Sequence, residues 1–124
     1  MKNIYIPDRN DIAWLDFEPI RGKEIGKYRP ALVLSNKKYN TERGLLICCP
    51  ISTSLRGHVI EVPVNNLNQP SVVVSNTIRT LSWKTRNTKF ITHAEEGVMT
   101  AVLQRLIPLI GADKILLESA GISR

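Results

Sequence analysis

Cysteine is nearly missing from this 124-residue chain. The two present, Cys48 and Cys49, are adjacent, a spacing that supports neither a disulfide framework nor a zinc-ligand pattern. Alternation along a strand would send them to opposite faces, so each reads as a small core residue rather than a nucleophile. Histidine is as sparse: His58 and His93 stand 35 positions apart, without the local pairing of a ligand cluster, and His93 reads as a first-turn helix residue. No apolar run approaches the roughly 18 residues of a membrane helix. The first ten residues carry charge without the apolar stretch of a secretion signal. A reduced cytoplasmic protein with no membrane contact is the expectation. Gly and Pro, 7 each, are near average, which excludes collagen-like and low-complexity architectures. GxGxxG, P-loop and HExxH patterns are all missing, so those chemistries fall away.

Acidic residues are short in one region only. Lys and Arg number 17 against 11 Asp and Glu, a net charge of +6. Residues 19–60 hold eight basic side chains against Glu24 and Glu42, and residues 62–94 hold Arg79, Lys84, Arg86 and Lys89 against none. The positive field belongs to the middle of the chain. It reads either as a solvated surface kept for solubility or as a polyanion site, most simply for nucleic acid.

The length suits one domain over residues 1–124, with 43% hydrophobic residues to build a core. Strands are expected at Asp11–Phe17, Ala31–Leu34, Leu45–Ile51, His58–Pro63, Ser71–Ser75 and Lys89–Ile91, with Ile78–Trp83 between the last two. Pro19 and Gly22 open a polar loop to about Lys27, and Asn36–Gly44 reads as a polar connection. Thr92-His-Ala-Glu95 has the form of a capping box before a helix whose inward positions are Val98, Val102, Leu106 and Leu109 or Ile110. Pro108 should end or kink that helix near Leu106, Gly111 fits a stop, and Ala112–Ser119 suits a short second helix. The fold class is α+β, mainly β: a small barrel of five to seven antiparallel strands with a C-terminal helix.

Glu24 is one of two acids among eight bases and lies five residues from Arg29. A carboxylate amid cations can deprotonate a hydroxyl beside a phosphate that the cations hold. The same spacing also describes a surface ion pair.

The string Trp14-Leu-Asp-Phe17, Gly22, Glu24 and Tyr28-Arg29-Pro30-Ala31-Leu-Val-Leu-Ser35 resembles the MazF/PemK/Kid toxin family, with Asn10 where the family usually has Gly. The likeness runs on through Tyr39-Asn40, Gly44, Pro50, Glu61-Val62, Arg79, Trp83 and Arg86 to Gly111, covering about residues 4–111; residues 112–124 are an extension. The resemblance implies an SH3-like barrel, a homodimer, and a metal- and cofactor-independent endoribonuclease that cuts single-stranded RNA at short sequences. It also implies a cognate antitoxin with an acidic, disordered C-terminal tail. Carried over by position, Arg29 matches the family's catalytic arginine and Glu24 its loop glutamate. The catalytic threonine falls on Ser52, with Thr53 beside it. Asn76-Thr77 stands where many members carry Asp-Gln, which favours the Glu24 manner of working. The family's basic groove suggests RNA contacts at Lys23, Lys27, Tyr28, Arg56, His58, Arg79 and Arg86. The expected chemistry is attack of the 2′-OH on the adjacent phosphate, with His58 or water supplying the leaving-group proton. A CcdB-like gyrase-binding toxin and a non-catalytic RNA-binding barrel are the rival readings.

Overall fold

The computed structural model describes residues 4–18 and 27–122. Its elements are β1 (Asp11–Asp16), β2 (Tyr28–Val33), α1 (Lys37–Arg43), β3 (Leu45–Ser52), β4 (Glu61–Val64), β5 (Ser71–Val74), β6 (Arg79–Ser82), a short 3₁₀ turn (Trp83–Thr85), β7 (Lys89–His93), α2 (Val98–Leu109) and α3 (Ala112–Ser119). The strands form one antiparallel sheet in the order β4-β5-β3-β2-β1-β7, curled into a half-barrel. Strand β3 makes the curl. Its first half pairs with β6 and its last two residues with β5, both along the edge opposite β2.

Alternation along the strands splits the core in two. Ile12, Leu32, Cys49, Ile51, Val62, Val64 and Val73 face α2, which inserts Val98, Val102 and Leu106 at helical spacing. Leu15, Phe17, Ala31, Val33, Leu46, Cys48, Leu81 and Trp83 pack on the other face. Cys48 and Cys49 thus go to opposite faces, as alternation requires, and both are fully buried. Each aliphatic side chain so buried contributes about 1.5–3 kcal/mol of transfer free energy, so the two faces together outweigh any single polar contact.

Five sequence expectations need correction. Asn36–Gly44 is not a plain connection but carries α1: the Asn36 side chain accepts the Tyr39 N–H at 2.9 Å, and Gly44 closes the helix at φ +66. The capping box does not form. Thr92 and His93 are the end of β7, α2 starts at Val98 behind Gly97, and Glu95 instead accepts the Asn65 N–H at 2.7 Å. His93 is therefore a strand residue. Pro108 sits inside the last turn of α2, where the hydrogen bond it forfeits lies at the solvent-facing end, and Leu109 and Ile110 are exposed rather than inward. Finally β4 begins at Glu61, and residues 58–60 belong to the turn before it.

Asn10 has φ 78, a left-handed backbone that Asn tolerates better than other residues with a Cβ, and its N–H and C=O join Val33 to Ala94. This explains how Asn stands where the family usually places Gly.

Candidate active site

Strand β2 sends Arg29, Ala31 and Val33 to the face that holds Leu15 and Phe17. Across it, Ala31 is level with Pro50, Leu32 with Cys49 and Val33 with Cys48. Continuing that register to the strand ends sets Arg29 level with Ser52 on the same face. On the far side of β3, Cys48 is level with Arg79. The Arg79 guanidinium lies 6.0 Å from the centre of the Phe17 ring. Arg29, Ser52 and Arg79 therefore belong to one face of three neighbouring strands.

Arg86, just past the 3₁₀ turn, closes this end of the sheet. Its Nη1 donates to the carbonyls of Asp16 at 2.9 Å and Glu18 at 2.8 Å, while its own carbonyl accepts the Asp16 N–H at 3.0 Å. The side chain expected to touch phosphate thus holds the chain where it leaves β1. Its Nε is buried without a partner among the described residues. Lys27, at φ 73, meets the same segment: its N–H donates to the Glu18 carboxylate at 2.9 Å and its carbonyl accepts from Phe17. Lys23 and Glu24 lie outside the described residues.

Electrostatics follow from this packing. Burial lowers the pKa of Arg29 from its ordinary value, the mark of a guanidinium partly stripped of water. The Cys48 thiol is pushed up by burial and then by Cys49, with Arg79 and Arg86 pulling the other way, which places both cations near it. Burial also raises Cys49, to about 12. Neither thiol is a nucleophile at neutral pH.

The remaining expected contacts divide. Ser52 is half-buried, and its Oγ accepts the Ser54 N–H at 3.0 Å, leaving the hydroxyl proton for an incoming oxygen. Thr53 is exposed on the following bend, and Arg56 and His58 sit on the exposed connection beyond it. Tyr28 is on the opposite face from Arg29: its ring stacks on Trp14 at 5.2 Å and 17°, and its hydroxyl donates to the Asn87 carbonyl at 2.8 Å. His93 is also elsewhere, with Nδ1 3.0 Å from the buried Asp11 carboxylate, which accepts the Tyr5 hydroxyl on its other oxygen. Burial first, and then that hydrogen bond, raise the Tyr5 pKa. This cluster ties the N-terminal segment to β7. Sequence reasoning missed Glu61, whose carboxylate accepts the N–H groups of Arg56 and Gly57; the available signal was its isolation as an acid in a basic stretch.

Guanidinium groups on the same face as a hydroxyl suit a phosphodiester, since their planar forks bond two phosphate oxygens and stabilise added negative charge. Comparison with known proteins points the same way. Residues 8–110 match the PemK-like, MazF-like toxin of type II toxin–antitoxin systems. The chain is 35% identical over 86 residues to the endoribonuclease toxin MazF of Escherichia coli K12, an overlap of 69% of this chain and 78% of that one. It resembles the crystal structure of MazF from Deinococcus radiodurans with a TM-score of 0.83 at 36% identity, covering 87% of this chain and 99% of the other. A MazE–MazF crystal structure from the same organism gives 0.77 at 36% identity, covering 87% and 98%.

Proposed function

The chain belongs to the PemK-like, MazF-like toxin family of type II toxin–antitoxin systems, and we propose that it is an endoribonuclease cutting single-stranded RNA by transesterification. The placement of Arg29, Ser52 and Arg79 on one face supports this reading most, since the reaction needs cations and a hydroxyl around one phosphate. Glu24 takes the 2′ proton. The 2′ oxygen attacks phosphorus, the bond from phosphorus to the 5′ oxygen breaks, and the products are a 2′,3′-cyclic phosphate and a 5′-OH. Arg29 stabilises the pentavalent intermediate, and Ser52 or Thr53 bonds a phosphate oxygen. Arginine stays protonated in proteins, so the leaving oxygen takes its proton from His58 or water. Lys23, Lys27, Arg56 and Arg79 hold the RNA backbone. Arg86 supplies charge to the site while its fork is engaged with Asp16 and Glu18.

In this scheme guanidinium charge does the work of a Lewis acid. Purified protein incubated with single-stranded RNA should therefore cleave at an unchanged rate in excess EDTA. Cleavage abolished by the chelator and restored by a divalent ion defeats the scheme; intact RNA under every condition leaves a binding module instead.

We assign a homodimer and a cognate antitoxin to the same reading. Leu109, Ile110, Ile115 and Leu116 around the α2–α3 corner are exposed, and a two-fold contact with a second copy would cover them. Static light scattering at micromolar concentration should give twice the 14.0 kDa chain mass; a single-chain mass sinks the dimer. The antitoxin partner fits the MazE–MazF complexes of the relatives, and an acidic, disordered tail would complement the basic face.

A further inference from the structure

The connection at residues 53–60 leaves directly from Ser52 and carries Thr53, Arg56 and His58, yet none of its side chains is fully buried. Of its three large apolar side chains, Leu55 and Val59 are 55% and 83% exposed, and Ile60, next to β4, is half-buried. A segment like this has a defined shape only if polar contacts impose one. Two do. Glu61, the first residue of β4, has its backbone fixed in the sheet opposite Val74. From there its Oε1 accepts the Arg56 and Gly57 N–H groups, each at 3.1 Å, and its own N–H donates to the His58 carbonyl at 3.0 Å. Gly57 at φ +74 adopts the backbone that a side chain would disfavour in this turn. At the far end Arg105, on the helix α2, donates from Nε to the Val59 carbonyl at 2.7 Å. Its Nη1 is already bonded to the Ala101 carbonyl at 2.8 Å, so the helix itself aims the guanidinium.

Charge singles out Glu61 further. It is the lone Asp or Glu between Glu42 and Glu95. In a stretch that binds a polyanion, a carboxylate opposes affinity through repulsion, so its presence calls for a role other than holding RNA.

We infer that Glu61 and Arg105 are positioning residues that hold the 53–60 connection in the shape that presents Arg56 and His58 to RNA, and that they thereby set which sequences are cut. The inference rests on the endoribonuclease reading. Single-stranded recognition reads splayed bases by hydrogen bonding and stacking, which demands donors held in place. A loop that wanders keeps its charge and loses its discrimination.

The test uses the full chain and a pool of single-stranded RNAs of random sequence. It reads the ratio of cleavage rates between the best and the average sequence, beside kcat on the best one. Glu61→Ala should lower that ratio about tenfold, the scale of one charged hydrogen-bond pair, and speed amide exchange at Arg56 and Gly57. Glu61→Gln should stay within about threefold of the native ratio, because the amide oxygen accepts the same two N–H groups. Arg105→Met, acting from the other end and keeping the apolar stem, should lower the ratio as well, which keeps the test open if Glu61→Ala fails to fold. Native discrimination in both Glu61→Ala and Arg105→Met, with the wild type active, overturns this inference and leaves the functional reading intact. Loss in Glu61→Gln equal to that in Glu61→Ala also overturns it. A wild type that cuts no RNA overturns the functional reading and this inference with it.

Discussion

Arg29→Ala should slow the cleavage step about a hundredfold or more, roughly 3 kcal/mol of transition-state stabilisation, on the scale of losing an oxyanion donor. The size follows from where the side chain sits. Arg29 is half-buried on β2, and burial lowers its pKa because water no longer fully solvates the cation. A guanidinium held in that state meets new negative charge with little solvent reorganisation, so it acts more strongly on the phosphorane than on the ground-state diester. RNA affinity should fall far less. In the proposed scheme Lys27, Arg56 and Arg79 share the backbone contacts, so removing one cation should trim the salt slope by about one unit. Arg29→Lys keeps the charge without the bidentate fork and should fall between the two. Single-turnover rates at saturating RNA, set against binding isotherms over a salt series, separate the effects. Native turnover with collapsed affinity would make Arg29 a ground-state contact and move the chemistry elsewhere.

The strands that carry the candidate site were legible from alternation, whereas Arg29 and Ser52 themselves were named as catalytic through the family resemblance. Ala31-Leu-Val and Leu45 to Ile51 are apolar runs short enough for buried strands, and once they pair, Arg29 and Ser52 fall on one face. What escaped was decided by contacts far apart in sequence. The helix α1 is polar throughout and buries only Asn40, so it has no hydrophobic period; Asn36 and Gly44 at its ends were its only signals. The Thr92–Glu95 pattern is a sound capping box taken alone, yet pairing with β1 holds Thr92 in a strand and Asn65 engages Glu95. Arg86 shows the same limit from the side of charge. Composition counts a cation but cannot tell a phosphate ligand from a donor aimed at the Asp16 and Glu18 carbonyls.

Asn40 carries the largest expected effect on stability, and its chemistry predicts a pH dependence that a simple packing defect would not give. The residue is fully buried on α1. Its Nδ2 donates to the Pro7 carbonyl at 2.7 Å and the Ser35 carbonyl at 3.2 Å, and its Oδ1 accepts the Ser35 hydroxyl. The main-chain carbonyl accepts the Trp83 indole at 2.9 Å, a bond that any side-chain substitution leaves in place. Asn40→Ala strands two carbonyls and a hydroxyl away from water. At about 1–3 kcal/mol per orphaned group, with incomplete additivity, the loss should be roughly 3–5 kcal/mol, a large share of a typical domain's 5–15. Asn40→Asp is nearly the same shape but sets a carboxylate oxygen against those two carbonyls. The protonated acid can donate to one of them and the ionised form cannot, so the folded-state pKa rises above the unfolded value of about 3.9. An acid with a raised folded pKa binds more protons folded than unfolded. Its stability is therefore retained below pH about 4 and lost as pH climbs toward the folded pKa, by up to roughly 1.4 kcal/mol per unit. Urea midpoints followed by tryptophan fluorescence, each referred to the native chain at the same pH, should show Asn40→Asp with a small deficit at pH 4 and a large one at pH 7. Asn40→Ala should show the same deficit at both. Equal deficits for Asn40→Asp at the two pH values would mean that its carboxyl does not face the Pro7 and Ser35 carbonyls, and that the segment before β1 is held to α1 by other contacts.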